Sequence, residues 1–452
     1  MSATTEVALQ EAGEQTPQHL RRNFWLGVVS GIGYNLYTVV LNTQLVVAWF
    51  LSGLTDSNLL LSLTAPVESG SWFFLQFLLS GYVQRKPRTL PLYRQAAAVR
   101  VVVSTLLVLA AFTLDNAQAL LIIFLLVFAI NSLAGGVAAL PFLNVVAKTI
   151  PATRRGMYFA YRRFGGGLLG LLGGVLVKVV LAPDSGLSFP ENYGVLFGAA
   201  LGLLIVQVGS FSLIIEPVEA VDTRRVSLGE HLRRASRLPV GDRNFARFLV
   251  LRVAIVVSTY SMPFYAVYAR RVLRAPEDMV GTYVIALTVA TMVANLVLGQ
   301  IGDRRGNRLL VRLAAFTSML PALTALFVGR LPGVGLEPTF LYGAVFVFQG
   351  VHTTANVLGN GNYLLELSNS IERVLYIGLT SGIVGLTWFT LPLGGVIVDS
   401  LGFDVLFVVS LAAGLIATIV SLSLEEPRRR QAVAGAGSMV SSTPAPSGER
   451  WD

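Results

Sequence analysis

A chain of 452 residues that is 54% hydrophobic and only 13% charged is too apolar for a soluble globular protein, where about 25% of residues carry charge. The net charge of +9 would suggest nucleic acid on a soluble surface, but here the basic residues sit in short connections between apolar runs, so membrane orientation explains them. The absence of cysteine excludes disulfides, thiolate metal sites and thiol catalysis.

Residues 1–20 are polar and hold no apolar core, so the first hydrophobic run is itself expected to direct insertion. Twelve runs long enough to cross a bilayer follow, at 24–51, 57–83, 92–114, 117–147, 157–181, 192–216, 244–269, 277–298, 309–329, 338–365, 373–398 and 402–424. With the amino terminus placed in the cytoplasm, 29 of the 34 Lys and Arg residues fall on that side, and Lys178, Arg270, Arg271, Arg274 and Arg330 are the exceptions. That bias predicts an even number of spans and two cytoplasmic termini.

The chain then divides into an N-terminal segment 1–23, a bundle of six helices 24–216, a cytoplasmic linker 217–243, a second bundle 244–424 and a disordered tail 425–452. Within the linker, Ser227 to Arg237 has the pattern of a short basic helix lying on the membrane surface. An internal repeat supports the division. Arg22-Asn23-Phe24 opens one half and Arg243-Asn244-Phe245 the other, while an offset of 218 pairs Gly81 with Gly299, Val83 with Ile301, Asn144 with Asn362, Arg155 with Arg373 and Tyr158 with Tyr376.

Ionisable groups inside the hydrocarbon point to chemistry, because each costs about 2.5–3.5 kcal/mol on insertion scales. Glu68 and His352 fall near mid-depth. Glu68 shares a helical face with Thr64, Trp72 and Gln76, which suits a proton carrier or a partner for a cationic cargo; a structural carboxyl bonded to a neighbouring helix is the alternative. His352 belongs to a stripe of Gln349, Asn356, Asn360 and Tyr363 on span ten, and span one offers Asn35, Thr38 and Asn42, with Gln44 off that face. Such stripes face water or protein, and hydrogen bonding between helices competes with a substrate route. Arg100, Arg162, Arg163 and Arg252 lie within about three turns of the arginine-rich end of their spans, where long side chains snorkel. The glycines at 165–167, 170, 173 and 174 read as packing contacts.

The stretch Gly299-x-Ile301-x-Asp303-Arg304-x-Gly306-x-Arg308 resembles the loop signature of the major facilitator superfamily, in its second-half copy. The first-half copy, Gly81-x-Val83-x-Arg85-Lys86-x-Arg88, has Arg85 where that family usually has aspartate. Asn362 to Glu366, followed by Glu372-Arg373-x-x-Tyr376, is similar to a bacterial branch of the superfamily. The resemblance implies two pseudo-symmetric bundles rocking about a central site lined by spans one, four, seven and ten, which brings Arg252 on span seven into consideration for anionic substrate. It also implies a cytoplasmic gate of Gly299, Asp303, Arg304, Gly306 and Arg308, with Asp303 facing Arg154 and Arg155, and with Glu366 and Arg373 in the related cluster. Loop anchoring is the plainer account of those charges. The proline that the antiporter signature wants in span five is replaced by Leu171 and Leu172.

The expectation is therefore an all-α polytopic membrane protein with twelve transmembrane helices in two pseudo-symmetric bundles of six. It would act as a monomeric secondary transporter in a bacterial inner membrane, moving a small molecule by alternating access coupled to an ion, the proton first. A non-transporting sensor or lipid-handling protein of the same fold is the alternative. No P-loop or H-E-x-x-H motif is present and His19, His231 and His352 are scattered, so neither an enzyme, a metal, a cofactor nor a nucleic-acid partner is expected.

Overall fold

The computed structural model describes residues 17–70, 75, 79, 82–83, 86–218, 238–328, 337–367 and 373–426. The linker helix expected at Ser227 to Arg237, the tail from residue 427 on, Trp72, Gln76, Gly81, Arg85 and Arg330 lie outside the described residues. Among the described residues, ten helices are long and apolar enough to cross a membrane: His19–Leu54, Leu90–Thr113, Ala117–Thr149, Thr153–Val180, Glu191–Ser212, Arg243–Arg271, Met279–Arg305, Asn307–Val328, Leu375–Leu401 and Phe403–Leu422. They are spans one, three to nine, eleven and twelve. Span ten, Gly343–Leu367, is long enough to cross, but its Gln, His and Asn stripe makes it less apolar than the others. Span two begins with Asn58–Ser62 and a π turn at Pro66–Gly70.

Local chemistry sets the helix starts. Asn116 accepts from the Gln118 and Ala119 amides at the head of span four, and Asp242 accepts from Asn244 and Phe245 at the head of span seven. Gly306, at φ +87°, turns span eight into span nine within one residue. Gly302, not Gly299, makes the close approach there: a Cβ on Gly302 would meet Leu310 at 2.7 Å, whereas one on Gly299 would meet nothing.

The repeat read from sequence has a physical counterpart at several depths. Buried Asn23 exchanges two hydrogen bonds with the Ile215 backbone after span six, and buried Asn244 accepts from the Glu425 amide after span twelve and donates to Tyr363. Phe24 packs on Tyr158 at 5.7 Å between ring centres, and Phe245 on Tyr376 at 4.4 Å. Spans one and seven are both interrupted at matching positions, by the loop at Asn42 that caps a π turn and by a 3-10 turn at Thr259–Ser261. Gln44 donates to Met262 and Arg270 to Ser52, two pairs 218 residues apart. A residue that touches its own repeat mate lies beside the pseudo-twofold axis, so these contacts locate the axis between spans one and seven.

Residues 17 and 426 lie at one end of the helices, here the terminal face; residues 49–58 and 270–277 lie at the far face. On the far half the bundles approach through two glycines. A Cβ on Gly281 of span eight would meet the Lys178 backbone at 2.3 Å, and one on Gly395 of span eleven would meet the Asn58 carbonyl at 2.4 Å. Neither position has room for a side chain.

If Asn23 and Asn244 perform the same structural duty, Asn23→Ala and Asn244→Ala should each cost about 1–3 kcal/mol by leaving buried backbone groups unpaired. Thermal unfolding of the purified chain in detergent checks this, and the two variants should fall in midpoint together.

Candidate functional site

A cavity of about 1080 Å³ lies between the bundles, walled by spans one, two, three, four, five, six, eight and ten. Its deep end is formed by Asn42, Gln44, Val47 and Phe124, and it extends toward the terminal face past Arg100, Tyr161 and Arg163. On the far side it is shut. Arg271 donates to the Thr55 carbonyl at 2.7 Å and to Asn58 Oδ1 at 3.2 Å, while Asn58 donates to Asp399 at 2.7 Å. Arg270 donates to the Trp49 carbonyl and pairs with Glu277 at 3.2 Å, and Glu277 also accepts from Asn192. Every hydrogen bond between bundles formed by two described residues lies on this half, including Gln349 to Gln44 under the cavity floor. The sequence had marked Arg270 and Arg271 only as exceptions to the charge bias; their repeat mates and the outer turn they end could have singled them out.

At the terminal face no hydrogen bond or ion pair joins the bundles among the described residues. Asp303 is exposed and makes no ion pair among the described residues, and Arg155 turns back to the Ala147 and Ile150 carbonyls of its own bundle. Arg304 is exposed, and Arg308 pairs with Glu426 at 3.5 Å within the second bundle. Glu366 accepts from Asn307 at 2.7 Å, and the side chain of Arg373 lies outside the described residues.

Of the expected pathway residues, Glu68, Asn35, Thr38 and Asn42 line the cavity. Asn35 donates to the Gly31 and Arg162 carbonyls and Thr38 to the Asn35 carbonyl, while Asn42 caps the π turn in span one. Glu68 sits in the π turn of span two, about 15 Å along the helix from Asn58 at 1.5 Å per residue. The stripe on span ten faces elsewhere. His352 is buried with Nδ1 3.0 Å from the Ala314 carbonyl of span nine, Asn356 accepts from Arg252 at 2.8 Å, and Asn360 donates to Asn356. Thr353, Thr354 and Val357, one residue around the helix, form the wall instead. His352, Asn356 and Asn360 form with Arg252 a hydrogen-bonded seam inside the second bundle, while Gln349 of the same stripe reaches across to Gln44 of span one.

The arginines depart most from expectation. Arg100 and Arg162 each lie ten residues, about 15 Å, along helices Leu90–Thr113 and Ala152–Val180 from the terminal face. They are 9% and 8% exposed and line the cavity, so they do not snorkel to the headgroups. Arg100 Nε donates to Asn131 Oδ1 at 2.8 Å, and Asn131 donates to Ser104 and Tyr37. Arg162 Nη1 donates to the Gly27 carbonyl of span one and to the Tyr158 hydroxyl at 2.9 Å, with its guanidinium 4.9 Å from the Phe142 ring centre. Span one is cut away to admit it: a Cβ on Gly31 would meet the Arg162 stem at 2.4 Å. Both cations face neutral acceptors, which return hydrogen bonds but not charge. Asn131 was missed in sequence, although a polar Asn-Ser pair inside the apolar run of span four is a visible signal.

Two pseudo-symmetric helical bundles around a cavity shut at one end define a polytopic membrane protein. Residues 247–449 match the family model of the Major Facilitator Superfamily. That match falls wholly in the second half of the chain, and the likeness over the full length is one of fold. A mutant of the nucleoside transporter NupG shares the fold at 14% identity and a TM-score of 0.65, covering 89% of this chain and 98% of that one. A D-xylose-proton symporter does so at 14% identity and 0.66, covering 90% and 99%. A bacterial homologue of the iron transporter ferroportin, in an inward-facing state, does so at 12% identity and 0.65, covering 91% and 99%. No curated protein matches the chain in sequence.

The native chain lacks cysteine, so a single introduced thiol reports without background. Asn295→Cys, on the cavity wall, should react readily with a hydrophilic maleimide in detergent, and His352→Cys, inside the seam, should not; mass spectrometry of the labelled chain separates them.

Proposed function

We propose that the chain is a secondary active transporter that carries a small molecule across a bacterial cytoplasmic membrane by alternating access, with the proton as coupling ion. One observation carries the reading: a mid-depth cavity tied shut at the far face and untied at the terminal face. With the arginine-rich terminal face in the cytoplasm, this is the inward-facing state. The reverse state requires the far-face bonds of Arg270, Arg271 and Asn58 to part and a clasp to form at the terminal face. Asp303 and Arg155 stand on opposite bundles there, neither bonded to the other bundle, and surface charge pairs of that kind exchange at modest cost.

Glu68 suits the coupling step. It is the one carboxylate among the described residues of the cavity wall, held at mid-depth, where it can take a proton from one face and return it to the other. The uneven π turn beneath it leaves backbone that a rocking helix can rearrange without breaking the span.

Two outcomes are expected. In proteoliposomes, for the first compound retrieved by a thermal-shift screen, Glu68→Gln should abolish uptake driven by a pH gradient while leaving exchange of labelled for unlabelled compound intact. Arg271→Ala should loosen the far face and raise labelling of Thr43→Cys by an impermeant maleimide outside intact cells by about fivefold, the population change produced by a loss of about 1 kcal/mol.

A further inference from the structure

The cavity wall contains three guanidinium groups, Arg100, Arg162 and Arg163, against the single carboxylate of Glu68 among the described residues, a formal balance of +3 and −1, or +2. No carboxylate lies within ion-pair distance of Arg100 or Arg162 among those residues. Each arginine is also only partly used as a donor. Arg100 engages Asn131 through Nε and leaves both terminal nitrogens without an acceptor among the described residues; Arg162 engages Gly27 and Tyr158 through Nη1 and leaves Nη2 and Nε. Two planar forks are thus held rigidly, by Asn131 on one side and by the Gly27 and Gly31 notch on the other. Tyr34, from span one, lies within electrostatic range of Arg100, Arg162 and Glu68 together and lines the same wall.

We propose that the carried molecule is a small organic oxyanion whose charged group is received by Arg100 and Arg162. The assignment rests on the transport reading for the word "carried" and on the cavity alone for the word "oxyanion". Planar guanidinium forks at low exposure match carboxylate and phosphate oxygens two at a time, and an arriving anion supplies the counter-charge that the protein withholds. Glu68 then has a defined part: its protonation raises the positive charge of the wall and tightens anion binding, and its release of the proton loosens it, which ties the anion to the proton.

The test uses the purified full chain in detergent, with thermal shift and titration calorimetry at fixed ionic strength. The probes are sodium succinate, sodium citrate, glucose 6-phosphate and inorganic phosphate, with xylose and uridine as neutral comparisons. At least one oxyanion should raise the unfolding midpoint above matched sodium chloride, the neutral compounds should not, and the succinate-to-phosphate order tells carboxylate from phosphate. Arg100→Gln and Arg162→Gln should each weaken that binding by roughly tenfold or more, the effect of losing one charge-assisted pair. Asn131→Asp supplies a carboxylate beside Arg100, so it should raise the midpoint of the ligand-free protein and suppress oxyanion binding. That variant also decides the matter if Arg162→Gln does not give monodisperse protein.

The proposal is overturned if no oxyanion exceeds matched sodium chloride, if wild type and the glutamine variants respond alike, or if Asn131→Asp lowers the ligand-free midpoint. It is equally overturned if phosphatidylglycerol nanodiscs stabilise the chain through Arg100 and Arg162 while the soluble oxyanions do not, since the occupant is then a lipid headgroup. Oxyanion binding without any rise in Thr43→Cys labelling in the Arg271→Ala background would remove the transport reading and leave the oxyanion site standing.

Discussion

A charge or a backbone polar group placed at the middle of a bilayer has no water to fall back on, and nearly every feature of this chain answers that constraint. Helices satisfy their own backbones. Where span one breaks at Asn42, the side chain of that residue closes the gap by accepting from two amides. Where Arg162 enters the interior, the Gly27 carbonyl and the Tyr158 hydroxyl receive it and the neighbouring helix gives up its side chains at Gly27 and Gly31. Where span ten carries Gln349, His352, Asn356 and Asn360, spans one, seven and nine supply partners. The charges of Arg100 and Arg162 are the part of the account that the described residues leave unbalanced, and they border the cavity.

The two halves are built alike and used differently. The asparagine clamps, the paired aromatic contacts and the helix breaks repeat, and the repeat reaches residues that differ in chemistry: Phe50 packs on Phe124 in one bundle where Tyr268 packs on Tyr342 in the other. The cavity wall does not repeat. Its charges come from spans two, three and five of the first bundle, whereas His352, Asn356 and Asn360 of span ten in the second are turned into that bundle. On the proposed reading, one bundle carries the charged wall and the other is the partner it rocks against. The far-face bonds between Arg270, Arg271 and the turn after span one fall beside the pseudo-twofold axis, where rocking separates residues least, so a few bonds there can hold one state without locking it.

Hydropathy was enough to read an all-helical polytopic chain, and shared residues at one offset to read the register of 218, because burial in lipid constrains whole helices and leaves long apolar runs. Glu68, Asn35, Thr38 and Asn42 were legible as candidates for the same reason, since a polar residue in such a run stands out. What the helical period could not say is which way a face points. His352 and Arg100 are both polar interruptions of apolar spans; one is turned into a bundle against Ala314 and the other into the cavity beside Asn131. The difference is set by which helix packs on which side. The same ambiguity made Arg100 and Arg162 look like snorkelling residues, because distance along the span is readable in sequence and rotation about it is not.

The amino-acid sequence by itself determined an all-helical polytopic membrane chain, since transfer of apolar segments into lipid depends on composition and length and hardly on neighbours. Only the tertiary structure decided which face is shut, that His352, Asn356 and Asn360 of span ten form a seam, and that two arginines with neutral partners share a cavity with one glutamate. Those outcomes depend on helix rotation and on contacts between residues more than a hundred positions apart, such as Gly27 with Arg162 and Thr55 with Arg271, and no local pattern records them.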